Sequence, residues 1–221
     1  MNEITKFGAR YYSPKDIRAA YTILQRDYNN FSFQGTSKPW WDEFADRLRA
    51  GCQIIDLGCG SGIPTRFFSG SRNFRVVGVD VSEEMIMLAR RQDQKSIFFC
   101  AEMDKIRWPI HSFHGACSFF SFLHLPKRRV KKLIKDVHEW LVPGGVFAIT
   151  VVEGEGEGLC ENFMGKGIPI YLSYYKQLEF CDMLKAAGFV VEDTRRLEVK
   201  TDNFDETEFF FFASKNGILG S

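Results

Sequence analysis

From about residue 52, short apolar runs alternate with segments of helical periodicity. The runs are short enough to be strands whose two faces are both buried. They lie at residues 53–57, 75–79, 96–100, 115–120 and 146–152. This alternation is typical of β-α units built around a mostly parallel sheet.

Two of the intervening segments carry clear helix signals. Ser82 can cap a helix whose first turn contains Glu83 and Glu84, and acidic residues are favourable at that end of the helix dipole. After Pro126, apolar residues recur at helical spacing until a Pro-Gly-Gly turn at 143–145. We predict a helix in each segment.

The last third of the chain departs from this alternation. Residues 176–187 have the pattern of a helix closed by Gly188, and two strand-like runs follow with no helix between them. We predict that these runs pair as a hairpin. The second run contains four consecutive phenylalanines at 209–212, which place bulk on both faces of a strand and therefore predict a position inside the sheet.

The segment before the first predicted strand shows no β-α pattern. Aromatic residues lie there among polar ones, which is typical of helices and loops. We predict a helical N-terminal cap over residues 1–50 that folds as one unit with a main domain over residues 51–221. Between 153 and 175 we expect a loop, kept mobile by the glycines that alternate with glutamate at 153–158.

The charge balance argues against nucleic acid as a partner. The 221 residues include 29 Lys and Arg against 28 Asp and Glu, a net charge of +1. An overall basic surface is therefore not expected. One basic run lies at 127–135, but Asp136 and Glu139 share its helix, so we interpret the run as a solvated helix face.

The sequence carries no signal for a membrane span or a metal centre. No window approaches the roughly 20 apolar residues of a span, and residues 1–10 lack the apolar core of a signal peptide, so we expect a cytoplasmic protein. Six cysteines are scattered without a Cys-x-x-Cys pair, which predicts reduced thiols. His111 and His114 have helical spacing but no third ligand nearby, so we expect no metal site.

A glycine-rich loop follows the first predicted strand and reads DLGCGSG at residues 56–62. Glycine permits positive φ and lets a ligand approach the backbone closely. The third glycine comes one residue earlier than in the dinucleotide fingerprint. Alone, such a loop is equally compatible with an ordinary tight turn.

Asp80 ends the second predicted strand, 22 residues after Gly58. A carboxylate at this position can accept hydrogen bonds from both hydroxyls of an adenosine ribose. The alternative is a helix or turn cap. The combination of Asp80 with the glycine loop favours the ribose interpretation.

Over about residues 50–152, these motifs make the sequence resemble the class I S-adenosylmethionine-dependent methyltransferases, in particular the small-molecule type related to the ubiquinone/menaquinone C-methyltransferases. The resemblance implies an α/β fold with a Rossmann-like, doubly wound sheet of seven strands. The sheet is expected to be mostly parallel, with the last strand antiparallel and inserted beside the fifth. The implied cofactor is S-adenosyl-L-methionine, which yields S-adenosyl-L-homocysteine, and no metal is expected.

The same resemblance implies a set of cofactor contacts. The glycines of the 56–62 loop are expected to lie against the methionine part of the cofactor, and Asp80 against the ribose. An acidic side chain at Glu102, or alternatively Asp104, is expected to meet the adenine amine, and the backbone N–H of Met103 the adenine ring. The implied cofactor-binding residues are Asp56, Gly58, Cys59, Gly60, Gly62, Asp80, Val81, Met85, Glu102, Met103 and Phe119.

His124 is the candidate catalytic residue. It follows the fourth predicted strand, whose carboxyl end faces the cofactor crevice in this kind of sheet, so its imidazole could position or deprotonate a methyl acceptor. The alternative is a structural histidine bonded to backbone. The candidate acceptor-side residues are Tyr21, Phe31, Phe33, Trp40, Phe120, Tyr171 and Tyr174, with core tyrosines as the alternative for the last two.

Phenylalanine is unusually frequent, with 22 residues. We assign Phe98, Phe99, Phe147 and residues 209–212 to the core. Five others lie in the N-terminal segment or near the end of the fourth predicted strand, namely Phe31, Phe33, Phe119, Phe120 and Phe122. We expect some of these five to line an apolar acceptor pocket.

The resulting hypothesis is in-line methyl transfer from S-adenosylmethionine to an O, N, C or S atom of a small, apolar or aromatic molecule. Orientation alone can supply much of the rate in such a transfer, and a general base helps when the acceptor is protonated. Two alternatives remain: an RNA or protein methyltransferase, and a cofactor-binding partner subunit without catalysis.

Overall fold

The computed structural model describes residues 4–5, 12–28, 33–200 and 205–216 of the chain. Three helices separate the strands from β2 to β6, as the apolar pattern predicts, with an irregular segment between β4 and β5 and a short 3-10 helix at Phe122–His124. In chain order the elements are β1 (Ile4–Thr5), α1 (Pro14–Tyr28), α2 (Phe33–Asp46), β2 (Gln53–Leu57), α3 (Ile63–Ser71), β3 (Arg75–Asp80), α4 (Glu83–Gln92), β4 (Ile97–Cys100), β5 (Phe113–Ser118), α5 (Lys127–Trp140), β6 (Leu141–Val152), β7 (Glu157–Phe163), β8 (Ile168–Ser173), α6 (Gln177–Ala186), β9 (Phe189–Lys200) and β10 (Asp205–Lys215).

Seven strands form one sheet in the order β4-β3-β2-β5-β6-β10-β9. Strands β2 to β6 pair in parallel, and β10 runs antiparallel to both of its neighbours, β6 and β9. The last strand is therefore the one reversed strand of the seven, and it lies beside the fifth. The prediction of a Rossmann-like sheet with this arrangement is confirmed.

The four phenylalanines of β10 are buried on both faces of the sheet. Phe209 and Phe211 pack into the larger core cluster under α5 and α6, whereas Phe212 packs on the opposite face with Trp41 and Phe44. None of the four is more than 2% exposed. Two cores thus meet on this strand, and the prediction from the phenylalanine run is confirmed.

The segment after β6 is not the loop that the Glu-Gly alternation predicts. Strands β7 and β8 pair as an antiparallel hairpin, and β1 adds a third strand on the β7 side. The loop prediction was wrong because Cys160, Ile170 and Leu172 supply an apolar face that packs against α1. Between β6 and β8, the irregular parts are residues 154–156 and the turn at 164–167.

Phe99 corrects the core assignment. Strand β4 is an edge strand of the large sheet, and on it Phe98 is buried while Phe99 is 40% exposed. The ring of Phe99 contacts only the edge of Trp108, at 5.5 Å between centroids, among the aromatic rings described. An edge strand needs one buried face, so its apolar run does not imply burial on both.

Helix α1 brings the N-terminal segment to the carboxyl end of β6. Its buried residues Ile17, Ala20 and Leu24 pack with Val152 at the end of β6 and with the β7–β8 hairpin. Helix α2 lies over α3 and the opposite sheet face through Trp41 and Phe44. Among the helices in the described part of the chain, none has the length and apolarity needed to cross a membrane.

Candidate functional site

The glycine turn joins β2 to α3 and is shaped by contacts within the protein. Gly58, Gly60 and Gly62 all have positive φ, at 76°, 52° and 81°. A Cβ on Gly58 would lie 2.1 Å from Oγ of Ser121, and that Oγ donates a hydrogen bond of 2.9 Å to the Gly58 carbonyl. A Cβ on Gly62 would lie 2.9 Å from Cβ of Ala89 on α4. Side chains at these two positions are therefore excluded with or without a ligand.

Asp80 ties the glycine turn to the end of β3. Its Oδ2 accepts the backbone N–H of Gly60 at 2.9 Å, and its Oδ1 accepts the backbone N–H of Ser82 at 2.8 Å. Burial raises the pKa of the Asp80 carboxyl above its ordinary value. Since a carboxylate oxygen has two lone pairs, each oxygen retains capacity for one further donor.

Ser82 confirms the predicted cap at the start of α4. Its Oγ accepts the backbone N–H of Met85 at 3.4 Å. The cap and the bond from Ser82 N–H to Asp80 fix the chain where it leaves β3.

Asp56 faces the protein interior. It is 1% exposed, and its Oδ2 accepts the hydroxyl hydrogen of Thr65 at 2.7 Å. Burial raises its pKa to about 6. Asp56 therefore holds the start of α3 against β2.

A second acidic group lies after β4, where Arg129 of α5 binds both candidate adenine acids. Its guanidinium donates to Glu102 at 2.8 Å and to both oxygens of Asp104, one of them at 2.6 Å. The guanidinium also lies over the ring of Tyr12, 4.4 Å from the centroid. Burial raises the pKa of Tyr12 to about 12.

This arrangement separates the two alternatives for the adenine carboxylate. The Asp104 side chain is 6% exposed and bonded through both oxygens, whereas that of Glu102 is 26% exposed and bonded through Oε2. Glu102 is thus the more accessible of the two acids. Arg129 itself is only 14% exposed, so the interpretation of the basic run as a solvated face was wrong at this position.

His124 and Tyr21 form a buried hydrogen-bonded pair. The Tyr21 hydroxyl lies 2.7 Å from Nε2 of His124, and Nδ1 of the same ring lies 3.4 Å from the Tyr171 carbonyl oxygen. A carbonyl can only accept, so this contact favours a hydrogen on Nδ1 and leaves Nε2 to accept from Tyr21. Burial lowers the pKa of His124 to about 4, which keeps the imidazole neutral near pH 7.

These groups border one cleft at the carboxyl ends of β2, β3 and β5. Nine of the predicted site residues line it: Tyr21, Gly58, Gly60, Asp80, Val81, Glu102, Met103, Phe120 and His124. The sequence reasoning missed Tyr12 and Ile17, which also line the cleft from before and within α1. Ile17 lies four residues before Tyr21 on the same helix, and this spacing was the available signal for Ile17.

Other predicted cofactor residues lie behind the lining. Cys59 and Met85 are buried, and the Cys59 side chain packs with Ile86, Ala89 and Phe98. Phe119 is turned toward the ring of Trp41, at 6.2 Å between centroids. Together with Asp56 and Gly62, they support the turn and do not face the cleft.

Unlike Tyr21 and Phe120, four of the candidates for the acceptor side do not line the cleft. Trp40 stacks on Phe210 at 4.3 Å between centroids, Tyr171 is 1% exposed with its ring edge-on to Tyr12, and Tyr174 packs over Gly154. Phe122 is fully buried in the larger core. Phe31 and the side chain of Phe33 lie outside the described residues.

Among the side chains that the structure describes, no three His, Cys, Asp or Glu residues come close enough to hold a metal ion. The six cysteines are all unpaired thiols. Glu206 and Glu208 on β10 form one further acidic group that sequence reasoning did not single out, because alternating glutamates before an apolar run resemble a strand that enters from solvent.

Comparison with known proteins gives a family match to the centre of the chain. Residues 54–145 match the family described as "Methyltransferase domain". Phosphoethanolamine N-methyltransferase 1 of Zea mays is 29% identical over 73% of this chain and 32% of its own length. 27-O-demethylrifamycin SV methyltransferase of Amycolatopsis mediterranei is 29% identical over 46% of this chain and 39% of its own length. The chain thus spans between about a third and two fifths of these relatives.

Solved structures share the fold across nearly the whole chain. The 1,6-didemethyltoxoflavin-N1-methyltransferase of Burkholderia thailandensis, solved with 1,6-didemethyltoxoflavin and S-adenosylhomocysteine, has a TM-score of 0.74 at 21% identity, covering 96% of this chain and 95% of that one. The [4+2]-cyclase SpnF has a TM-score of 0.76 at 17% identity, covering 96% and 100%. At these identities the likeness establishes the fold alone.

Proposed function

Since the chain belongs to the class I S-adenosylmethionine-dependent methyltransferases, we propose that it transfers a methyl group from S-adenosylmethionine to a small molecule with an apolar or aromatic surface. The observation that carries the proposal is that three groups of predicted cofactor residues meet in one place. The glycine turn after β2, Asp80 after β3 and Glu102 with Met103 after β4 border one cleft, although they come from three separate strand ends.

The residues present fit the cofactor's chemistry. Gly58 and Gly60 present backbone to the cleft, which would suit the methionine part. Asp80 would accept the ribose hydroxyls with the lone pairs that its two backbone bonds leave available. Glu102 and the backbone of Met103 would hold the adenine, and Arg129 would fix the Glu102 carboxylate in place.

When bound, S-adenosylmethionine supplies a methyl group already activated by the positive charge on sulfur. The chain's own contribution is then to exclude water and orient the acceptor. Ile17, Phe120 and Leu125 give the cleft an apolar side next to Tyr21. This side supports an acceptor with apolar or aromatic surface.

Tyr21 and His124 would handle the acceptor's proton. The neutral imidazole accepts the Tyr21 hydrogen at Nε2, which leaves the Tyr21 oxygen to accept a hydrogen bond from an acceptor hydroxyl or amine. As the acceptor loses its proton to the Tyr21 oxygen, the Tyr21 hydrogen can pass to Nε2. The low pKa of His124 makes it a weak base, so this relay suits an acidic acceptor such as a phenol.

Calorimetric titration with S-adenosylhomocysteine tests the proposal. Wild-type protein should bind, and Asp80→Ala should weaken the affinity by at least about tenfold, because a charge-assisted contact is lost. Asp93→Ala is the matched control. Asp93 also accepts a backbone N–H and two hydroxyls, but it caps the far end of α4 and does not line the cleft.

Circular dichroism should show that all three proteins are folded. Absence of binding by the wild type, or equal affinities for wild type and Asp80→Ala, would refute the proposal. A screen with methyl-labelled S-adenosylmethionine against phenols, amines, thiols and carboxylic acids then identifies the acceptor class. Transfer to RNA or to a peptide in the same assay would contradict the small-molecule assignment.

A further inference from the structure

Two glutamates of β10, Glu206 and Glu208, lie on one face of the sheet with little access to solvent. They are two residues apart on a strand, so their side chains point to the same side. Glu208 is 1% exposed, and the described residues offer its carboxyl no hydrogen-bond partner except the carboxyl of Glu206, which can pair with it only when one of the two is protonated. A buried carboxyl without a cation or donor is costly and therefore calls for an explanation.

The protein supplies no cation to this pair within the part of the chain that the structure describes. Arg195, on β9 opposite Phe210, is the nearest basic residue on this face by strand register. Its guanidinium is bonded to Glu43 at 2.9 Å and to Asp193 at 2.8 Å, and it lies over Trp40. Burial, with mutual repulsion at Glu208, raises the pKa of Glu206 to about 7 and that of Glu208 to about 8.

A second, independent set of polar atoms lies beside the pair without partners. Thr150 on β6 is directly opposite Phe210, which places it on the same face as Glu208, and its buried hydroxyl has no hydrogen-bond partner. Trp40 stacks on Phe210 at 4.3 Å, and its buried Nε1 likewise has none. The Thr150 hydroxyl and the Trp40 indole N–H, both next to Phe210, thus lack hydrogen-bond partners among the described residues.

The face that carries these atoms packs against residues that line the cleft. Phe210 contacts Phe120 edge-to-face at 6.2 Å between centroids, and Phe120 lines the cleft. Val152, directly opposite Glu208 at the carboxyl end of β6, packs in the cluster that contains Ile17, another lining residue. The carboxyl pair is thus linked to lining residues of the cleft through its neighbours Phe210 and Val152, although neither glutamate lines the cleft itself.

We propose that Glu206 and Glu208 form a recognition site for a protonated amine carried by the methyl acceptor. This inference rests on the proposed function, because it places the acceptor's charged group next to the same cleft. An ammonium supplies the positive charge and the donors that the two carboxyls lack. The ring of Phe120, which lines the cleft, suits the same group, since aromatic rings attract cations.

Binding to the complex with S-adenosylhomocysteine tests the inference without requiring turnover. The probes are 2-phenylethylamine and its uncharged analogue 2-phenylethanol, compared by titration at about pH 8, where an alkylamine is protonated. The wild-type complex should bind the amine at least about tenfold more tightly than the alcohol. Glu208→Gln should abolish that preference, and the exposed Glu198→Gln on β9 should retain it.

A second measurement keeps the test valid if Glu208→Gln fails to fold. In wild-type protein, addition of 2-phenylethylamine should shift the carboxyl carbon resonance of Glu208 and leave that of Glu198 unchanged. Equal affinity for the two probes, a preference that survives Glu208→Gln, or an unmoved Glu208 resonance would overturn the inference. If S-adenosylhomocysteine itself fails to bind, the proposed function fails, whereas an absent amine preference in a complex that forms removes only this inference.

Discussion

The hydroxyl of Tyr21 is hydrogen-bonded to Nε2 of His124, at 2.7 Å, although the two residues are 103 positions apart in the chain. One comes from the N-terminal helix α1 and the other from the turn after β5. The pair therefore joins the N-terminal helix to the edge of the sheet that carries the cleft. Its consequences can be measured.

Removing the Tyr21 hydroxyl should slow methyl transfer without weakening cofactor binding. Tyr21→Phe keeps the ring that packs edge-on against His124 at 5.4 Å but removes the proton path. We expect kcat to fall by roughly 10²-fold or more, as for loss of a general acid-base group. Steady-state kinetics and titration with S-adenosylhomocysteine measure the two effects, and an unchanged kcat would contradict the proton relay.

His124 should make the protein sensitive to mild acid. Burial lowers its folded-state pKa from 6.5 to about 4, so between these values the unfolded chain binds the extra proton and the folded state does not. Stability should therefore decrease as pH falls from about 6.5 to 4, by on the order of 3 kcal/mol for this group.

Urea unfolding across this pH range measures the loss, and His124→Gln should reduce the slope. A proton titration of the His124 imidazole by NMR provides the direct check. A midpoint near 6.5 in the folded protein would contradict the burial argument.

Arg129 should be a major contributor to stability, while its neighbour Arg128 should not. Arg129→Met leaves Asp104 buried without its cation and releases Glu102, so we expect a loss of roughly 3–5 kcal/mol of unfolding free energy. Arg128→Met changes an exposed side chain on the same turn and should leave the unfolding midpoint unchanged. Urea denaturation of the two variants compares them, and equal midpoints would argue against the ion-pair network.

Gly58 should tolerate alanine far less well than Gly51, although both have φ near +77°. Alanine at Gly51 meets nothing within 4 Å, so it incurs only the backbone cost of about 1–2 kcal/mol. Alanine at Gly58 meets Ser121 Oγ at 2.1 Å, and we expect an additional loss of about 1–3 kcal/mol.

Thermal unfolding of the two variants measures the difference. The double variant Gly58→Ala, Ser121→Gly should recover part of it. If it recovers nothing, a cause other than the Ser121 contact limits the residue at position 58.

Local patterns predicted most of the strands and helices of the sheet, and the family resemblance implied the place of the last strand beside the fifth. The run at 209–212 predicted an internal strand correctly, since a strand with apolar residues on both faces has no other stable place. The same rule failed at Phe99, where β4 lies at the edge. Whether a strand lies at the edge or in the centre depends on the whole sheet, and a single apolar run does not determine it.

The cleft was predicted well where strand ends define it and poorly where side chains arrive from distant segments. Asp80 and Glu102 follow strands directly, so their position follows from the fold. Tyr171 faces the core because its neighbours belong to a hairpin that the glutamate-glycine alternation hid. Arg129 looked like one of several surface cations, and only the tertiary structure brings Asp104 to it.

The position of β10 has a consequence for the order in which the chain can assemble. Strand β9 pairs with β10 alone, so residues 189–200 have no partner in the large sheet until residues 205–215 have been synthesised. During translation, β6 likewise waits with one open edge that only β10 covers. Nascent protein should therefore expose two unpaired strand edges at once, which makes this stage the one most exposed to aggregation and to chaperone capture.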